Sequence, residues 1–169
     1  INAFADSAVG FIRQYGFDGV DVDYEYPTSM KDAGNPNDFP LSNQCRGKLF
    51  ANYEVLMKTL RNKLDGAGTE DGRKYMLTIA SPASAYLLRG MENFQVTQYL
   101  DYVNLMTYDF HGAWNHFVGH NAALFDNNAD PELSHWGVYN QAQFGGIGYL
   151  NAAWSAHYFR GALAAGKIN

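Results

Sequence analysis

The chain has 169 residues with a formal net charge of −5, and 47% of them are hydrophobic and 15% aromatic. This size and composition suit one globular core and exclude a disordered tail, while the mild negative charge without a block of Lys and Arg argues against nucleic-acid binding. No apolar run approaches the roughly 20 residues of a membrane-spanning helix, and the single cysteine, Cys45, excludes an internal disulfide.

Helices and strands are predicted to alternate along the chain. Apolar residues recur at helical spacing in four segments, and period-two alternation or a short apolar run marks three strands. The predicted elements are, in chain order, a helix over residues 2–15 ended by Gly16, a strand over 17–24 closed by Pro27, a loop over 28–47, a helix from about 48 to Gly66, a strand from Tyr75 to Ser81 closed by Pro82, a helix over 92–100, a strand from Tyr102 to Tyr108, a loop region over 110–148 and a helix over 149–165.

This alternation predicts an α/β protein with a parallel sheet covered by helices. Three parallel strands form either a small open sheet or an arc of a larger barrel. The chain begins Ile1-Asn2-Ala3 without a methionine, and a new apolar run begins at Lys167-Ile168-Asn169. We therefore expect the chain to be part of a larger domain, incomplete at both ends.

The first strand bears an unusual row of acids. Asp21, Asp23 and Glu25 occupy alternate positions and therefore share one face, with Cβ atoms roughly 6.6 Å apart. Three carboxylates at that spacing cannot all ionise cheaply, so we expect shared protons and at least one raised pKa. The acids approach the carboxyl end of a strand, where ligands bind in α/β proteins.

Two other interpretations of this row stay open from the residues alone. It could be a solvated acidic strand face, although Val20, Val22 and Tyr24 fill the opposite face. It could also be a site for a hard cation such as Mg²⁺ or Ca²⁺. Asp18 is expected to face away from the three acids and to bond to backbone amides at the strand entry.

Two motifs resemble glycoside hydrolase family 18, the chitinases and their relatives. The first, Asp18-x-x-Asp21-x-Asp23-x-Glu25, matches the DxxDxDxE motif of that family. The second, Met106-Thr107-Tyr108-Asp109, matches the MxYD end of a later strand, and Phe110-His111-Gly112-Ala113-Trp114 with Gly119-His120-Asn121-Ala122 is similar to the loop that follows it in bacterial-type chitinases. The order of elements agrees with the family along essentially the whole chain.

The resemblance implies a (β/α)₈ TIM barrel. Residues 1–169 would be the central part of one catalytic barrel and would supply about strands four to six with their flanking helices. Such an arc leaves two open sheet edges and a half-exposed core. We therefore expect the isolated 169 residues not to turn over chitin.

The resemblance also implies a substrate-assisted, retaining hydrolysis of β-1,4-linked N-acetylglucosamine polymers through an oxazolinium intermediate. Glu25 would be the general acid and base, and Asp23 would hold the N–H of the substrate's 2-acetamido group. Asp21 would share a proton with Asp23, and Tyr108 would bind the acetamido oxygen.

Three further residues would bind sugar in that family. Asp109 would contact hydroxyl groups, Met106 would shape the floor, and Trp114 would stack on a sugar at the reducing-end side. Asp109 could instead cap the loop, and Trp114 could instead pack within it. Trp154, Tyr75, Tyr99 and Tyr102 are expected in the core, whereas Trp136 is undecided.

A metal site and a cofactor are not expected. His111, His116 and His120 lie in one loop, but no helix would align all three as ligands. The expected partners are chitin or chitooligosaccharides, with no nucleic acid and no membrane. The full-length enzyme is expected to be secreted and extracellular because its substrate is an insoluble polymer, and it is expected to be a monomer.

Two alternatives remain within the same fold. One is an endo-β-N-acetylglucosaminidase acting on glycans with the same acids. The other is a chitin-binding, lectin-like relative without catalysis. Such relatives commonly lack the terminal acid, so the presence of Glu25, Asp23 and Tyr108 favours an enzyme.

Overall fold

Helices and parallel strands alternate in the computed structural model, which describes residues 1–91, 95–142 and 145–169. The α-helices and β-strands are α1 Asn2–Tyr15, β1 Gly19–Val22, α2 Phe39–Asp71, β2 Met76–Pro82, α3 Ala85–Leu88, β3 Tyr102–Met106, α4 Pro131–His135 and α5 Ala152–Arg160. Short 3₁₀ turns cover Pro36–Asp38, Val96–Tyr99, Val138–Asn140 and Ala165–Lys167. Of the helix predicted over 92–100, residues 92–94 lie outside the described residues.

The three strands form one parallel sheet in the order β1-β2-β3, so the predicted α/β class is confirmed. Asp21 pairs in register with Thr78, and Ala80 pairs with Asn104. Ile168 forms a further parallel bridge to Val103, beside β3. The carboxyl ends of all three strands therefore meet at one edge of the sheet.

Helix α1 has the predicted bounds because a stop signal follows its apolar stripe. Gly16 adopts the left-handed conformation with φ 75°, and its N–H donates to the Ile12 carbonyl. This is the usual glycine end of a helix. Ile12 and Ala5 are buried against the core that α1, α2 and the sheet share.

Helix α2 is longer than predicted at both ends. It begins at Phe39 rather than near residue 48, with Pro40 in its first turn, where a missing N–H costs nothing. It also continues through Gly66 and ends at Gly72, which has φ 66°. An internal glycine costs a helix only about 1 kcal/mol, which the buried stripe of α2 outweighs, so the expectation that Gly66 ends the helix was wrong.

The loop region predicted over 110–148 contains the short helix α4. Asp130 caps this helix because its Oδ1 accepts the N–H groups of Glu132 and Leu133, both at 3.0 Å. Pro131 occupies the first turn. An Asp-Pro-Glu sequence is a helix-start signal that the sequence analysis did not use.

An ion-pair network joins α2 to the sheet. Arg61 donates to Asp101 at 3.0 Å and to the Tyr75 carbonyl at 2.9 Å, and Asp101 also accepts the Leu77 N–H at 2.9 Å. Lys74 completes an ion pair with the same carboxylate. Among the described residues, the helices are all too short or too polar to cross a bilayer.

Candidate active site

A cavity of about 150 Å³ opens at the carboxyl edge of the sheet, and it brings together most of the predicted site residues. Asp23 and Glu25 follow β1, whereas Tyr108 and Asp109 follow β3, so the parallel topology delivers all four to one place. The lining also includes Met106. Met106 at the end of β3 and Tyr108 two positions later both line the cavity, as the sequence pattern predicts.

Asp21 lies within β1, one alternation before Asp23, and does not line the cavity. Its Oδ1 accepts a hydrogen bond from the Thr78 hydroxyl and another, at 2.9 Å, from the Asn104 amide. Asn104 is held in turn by the Asn169 amide at 3.0 Å. The neighbouring strands therefore orient this carboxylate, and the sequence analysis missed both donors because their contact depends on strand register.

Tyr26 is a further cavity residue that the sequence analysis did not assign. Burial raises the pKa of its hydroxyl, a hydrogen bond with the Glu25 carboxyl adds to the rise, and the nearby Asp109 and Asp23 charges act in the same direction. Tyr26 is therefore a neutral phenol beside Glu25. The only sequence signal for it was its place next to the last acid of the motif.

The loop after Glu25 is held at two points. Gly34 has φ 86°, and a Cβ there would overlap the Glu25 carbonyl oxygen, so a side chain is excluded on both counts. Thr28 is buried and donates to the Leu87 carbonyl at 3.3 Å, while Ser29 donates its N–H to the Gly90 carbonyl at 2.8 Å. These contacts fix the backbone that presents Glu25.

Asp109 adopts a left-handed backbone conformation with φ 56°, which is uncommon for a residue with a side chain. Its Oδ1 accepts a hydrogen bond from the Asn121 amide at 2.9 Å, across the loop that follows β3. Asp109 therefore both lines the cavity and ties the loop together.

Trp114 does not line this cavity. Its side chain is 64% exposed, and its ring lies directly over Gly112, where an added Cβ would overlap it. Trp136 is also exposed, at 59%. Trp154 and Tyr75 pack in the core as predicted, but Tyr102 is more than a third exposed at the amino end of β3, so its expected core position was wrong.

The remaining acid of the motif is separated from the other three. Asp18 precedes β1 and forms an ion pair with Arg73 rather than bonding to backbone amides. It lines a second cavity, of about 450 Å³, at the amino ends of the strands with Lys74 and Asp101. Lys74 forms an ion pair with Asp101, and Asp18 pairs with Arg73. The carboxylates of Asp23, Glu25 and Asp109 converge instead on the smaller cavity.

The three loop histidines do not converge. The buried His111 ring contacts the backbone carbonyl of His120, whose own side chain is exposed, as is that of His116. Within the part of the chain that the structure describes, no cluster of three or more His, Cys, Asp or Glu side chains has the arrangement of a metal site.

Comparison with known proteins identifies one family. The model of the glycosyl hydrolases family 18 matches residues 1–154. Chitinase A1 of Niallia circulans is 45% identical over 153 residues, which are 88% of this chain and 20% of that protein.

Solved structures agree with this assignment. A family GH18 chitinase from Chromobacterium violaceum is 60% identical with a TM-score of 0.97, over 99% of this chain and 25% of that one. A family 18 N-acetylglucosaminidase from Paenibacillus barengoltzii is 32% identical with a TM-score of 0.74, over 99% of this chain and 42% of the other. The chain thus spans less than half the length of the relatives it matches.

Proposed function

Because this chain belongs to the glycosyl hydrolases of family 18, we propose that it forms the catalytic centre of a chitinase. The observation that carries the proposal is the convergence of Asp23, Glu25 and Tyr108 on one cavity at the carboxyl edge of a parallel sheet. Its substrates are chitin and chitooligosaccharides, and the reaction is hydrolysis of β-1,4 bonds between N-acetylglucosamine units.

In this proposal, residues 1–169 are the central part of one TIM barrel, and β1, β2 and β3 are its strands four, five and six. The parallel order of the three strands supports this placement. So does the bridge from Ile168 to Val103, which starts a fourth parallel partner beside β3. Active sites of TIM barrels lie at the carboxyl ends of the strands, where the cavity is found.

Glu25 is the general acid and base of the proposed reaction. It gives its proton to the glycosidic oxygen as the bond from that oxygen to C1 breaks, and the leaving sugar departs as an alcohol. The carbonyl oxygen of the substrate's 2-acetamido group attacks C1 and forms an oxazolinium ion. Water then adds to C1 and gives a proton to Glu25, which restores the acetamido group, the acid and the β configuration.

Three residues stabilise the acetamido group during this step. Asp23 accepts its N–H and balances its developing positive charge, and Tyr108 donates to its oxygen. Asp21 shares a proton with Asp23. The hydrogen bonds that Thr78 and Asn104 donate to Asp21 support this role, since they fix one carboxylate of the pair while the other faces the cavity.

Binding of the polymer involves Met106, Asp109 and Trp114. Met106 forms the cavity floor and Asp109 contacts sugar hydroxyls, which their positions in the lining support. Trp114 stacks on a sugar beyond the cleaved bond, and its exposed ring supports that role. Because the substrate supplies the nucleophile, the proposed reaction needs no metal and no cofactor. The complete enzyme is extracellular in this proposal because its substrate is a polymer. It acts as a monomer.

A second candidate is an endo-β-N-acetylglucosaminidase acting on glycans. One solved structure that this chain resembles is named a family 18 N-acetylglucosaminidase, so not every similar member of the family is named a chitinase. The two activities differ in substrate, so the complete protein should cleave chitotetraose in preference to an N-glycan with a chitobiose core. The reverse preference would select the second candidate. Binding of chitotetraose without cleavage would select a lectin-like protein.

The substrate-assisted step has a direct test. We expect the complete protein to cleave chitotetraose with the β anomer as the first product in ¹H NMR, and not to cleave the fully deacetylated tetramer, which lacks the nucleophile. An α anomer as first product, or similar rates on the two tetramers, would refute the proposed reaction.

A further inference from the structure

A buried histidine beside the cavity has no part in the proposed reaction. His111 follows Asp109 by two residues, and its side chain is 3% exposed. Its Nδ1 lies 3.0 Å from the His120 carbonyl oxygen, on the returning half of the same loop. A carbonyl oxygen only accepts hydrogen bonds, so Nδ1 must hold a hydrogen.

The other ring nitrogen faces two acids at the start of α4. Nε2 lies 3.3 Å from Asp130 Oδ2 and 3.5 Å from Glu132 Oε2, without the alignment of a hydrogen bond to either. With a hydrogen on Nδ1, a neutral ring would point a lone pair at two carboxylates in a buried place, which is unfavourable. The cluster of His111, Asp130 and Glu132 therefore holds one more proton.

That extra proton lies on the ring nitrogen or on a carboxyl facing it. Burial raises the pKa of Glu132, and the Asp130 charge adds to the rise, although His111 and the Asn115 amide act in the opposite direction. Asp130 uses its Oδ1 to cap α4 and has only Oδ2 for the histidine. Either location removes the repulsion between the lone pair and the acids.

Other titratable groups near the cluster stay neutral when it loses this proton. Burial raises the pKa of Tyr139 to about 12, and its hydroxyl bonds Asp126 and the Asp130 N–H. Burial also raises the pKa of Tyr149, and the Glu132 charge adds to the rise while the Arg89 charge opposes it. Asp126 is linked to the cluster through this Tyr139 hydroxyl, and the Arg89 charge acts on Tyr149.

The cluster ties down the loop of residues 109–121. Glu132, which faces His111, also accepts the Asn115 amide at 2.9 Å, and Asn115 is the neighbour of Trp114. The base of the loop is closed by the Phe110 N–H on the Asn121 carbonyl at 2.9 Å. The ring packs on Gly119, where an added Cβ would lie 2.6 Å from it.

We propose that His111 is a positioning residue, and that its buried cluster with Asp130 and Glu132 fixes the 109–121 loop and so holds Trp114 in place for the substrate. The proposal rests on the proposed function. It assigns His111 to polymer binding beyond the cleaved bond rather than to the chemical step.

The test compares two substrates in the complete enzyme. Chitotetraose reaches Trp114, whereas an aryl chitobioside places only its aryl group on that side. We expect His111→Gln to raise KM for chitotetraose about tenfold and to leave kcat for the aryl chitobioside within about twofold. His120→Gln is the matched control, because His120 contributes only its backbone carbonyl, and it should change neither value.

Two further readouts separate positioning from a general loss of stability. In a Trp114→Ala background, His111→Gln should add less than about twofold to KM. Wild-type KM for chitotetraose should rise as pH rises through the raised pKa of Glu132, and the KM of His111→Gln should not. A fall in kcat for the aryl chitobioside as large as the rise in KM for chitotetraose would overturn the proposal. So would an undiminished effect of His111→Gln on KM in the Trp114→Ala background.

Two additional experiments test the proposal if His111→Gln does not fold or if the proposed function is wrong. Should His111→Gln not fold, Glu132→Ala, which removes both the carboxyl facing His111 and the acceptor of the Asn115 amide, should give the same split between substrates, and an unchanged KM would overturn the proposal. A wild-type enzyme that cleaves neither substrate refutes the proposed function instead. In that case ¹⁵N NMR of the His111 ring still tests the protonation of the cluster. A ring nitrogen Nδ1 without a hydrogen at neutral pH would contradict the proposed arrangement.

Discussion

Replacing Asp101 by Asn should remove about 2 kcal/mol from the free energy of unfolding at neutral pH. The Asp101 carboxylate accepts Arg61 at 3.0 Å and the Leu77 N–H at 2.9 Å, and both charged side chains are only 14% exposed. Asn keeps an oxygen for the Leu77 N–H, so the loss is the charged hydrogen bond to Arg61, worth roughly 1.5–3 kcal/mol. The Lys74 ammonium is exposed and adds little.

The size of this effect depends on pH. Burial acts to raise the pKa of Asp101, but Lys74, the Leu77 N–H and Arg61 outweigh it and lower the pKa below its ordinary 3.8. Because the folded-state pKa is the lower one, the stabilisation is complete above the unfolded-state value and is lost as pH falls through the folded-state value. The difference between wild type and Asp101→Asn should therefore shrink below about pH 4.

Urea unfolding followed by tryptophan fluorescence measures this difference. Asp65→Asn is the matched control, because Asp65 pairs with the same Arg61 but is 62% exposed, and it should cost less than about 0.5 kcal/mol. Equal losses in the two variants, or a difference that persists undiminished at pH 2, would refute the argument that burial makes the Asp101 pair stabilising.

Two further predictions concern the site. Tyr108→Phe should lower kcat by roughly 10²–10³ with little change in KM, since one hydrogen-bond donor to developing charge is lost. The control Tyr102→Phe, at the other end of β3, should change neither value. A kcat of Tyr108→Phe within threefold of wild type would count against the proposed role of Tyr108. Gly34→Ala should lower both activity and the urea midpoint of unfolding, because φ 86° and the Glu25 carbonyl oxygen exclude a Cβ. The control Gly10→Ala, on the open face of α1, should leave activity intact and raise the midpoint. Equal midpoints in the two variants would contradict the argument that a Cβ is excluded at Gly34.

Elements with local signals were predictable from the sequence. The bounds of α1 follow from a helical apolar stripe and Gly16, and the three strands follow from alternation around apolar centres. The extent of α2 was not predictable in the same way, because the packing of a long buried stripe outweighs the local cost of Gly66. Propensity alone cannot show that balance.

The candidate site was also predictable from the sequence only in part. Alternation within one strand put Asp21, Asp23 and Glu25 on one face, and Met106 and Tyr108 likewise. Four of these five line the cavity, but Asp21 does not, and Tyr26 lines it without having been predicted. The partners of Asp21 were not predictable, because they depend on the register between strands. The cluster of His111 joins residues 19 to 21 positions apart through tertiary packing, which no local pattern in the loop indicates.

Turnover by Glu25→Gln decides whether Glu25 is the general acid. With chitotetraose, we expect kcat of this variant in the complete enzyme to fall by about 10²–10⁴, as expected for loss of a general acid, while the Kd for the oligosaccharide stays within a few-fold of wild type. A kcat above a tenth of the wild-type value, or loss of binding together with activity, would contradict this role.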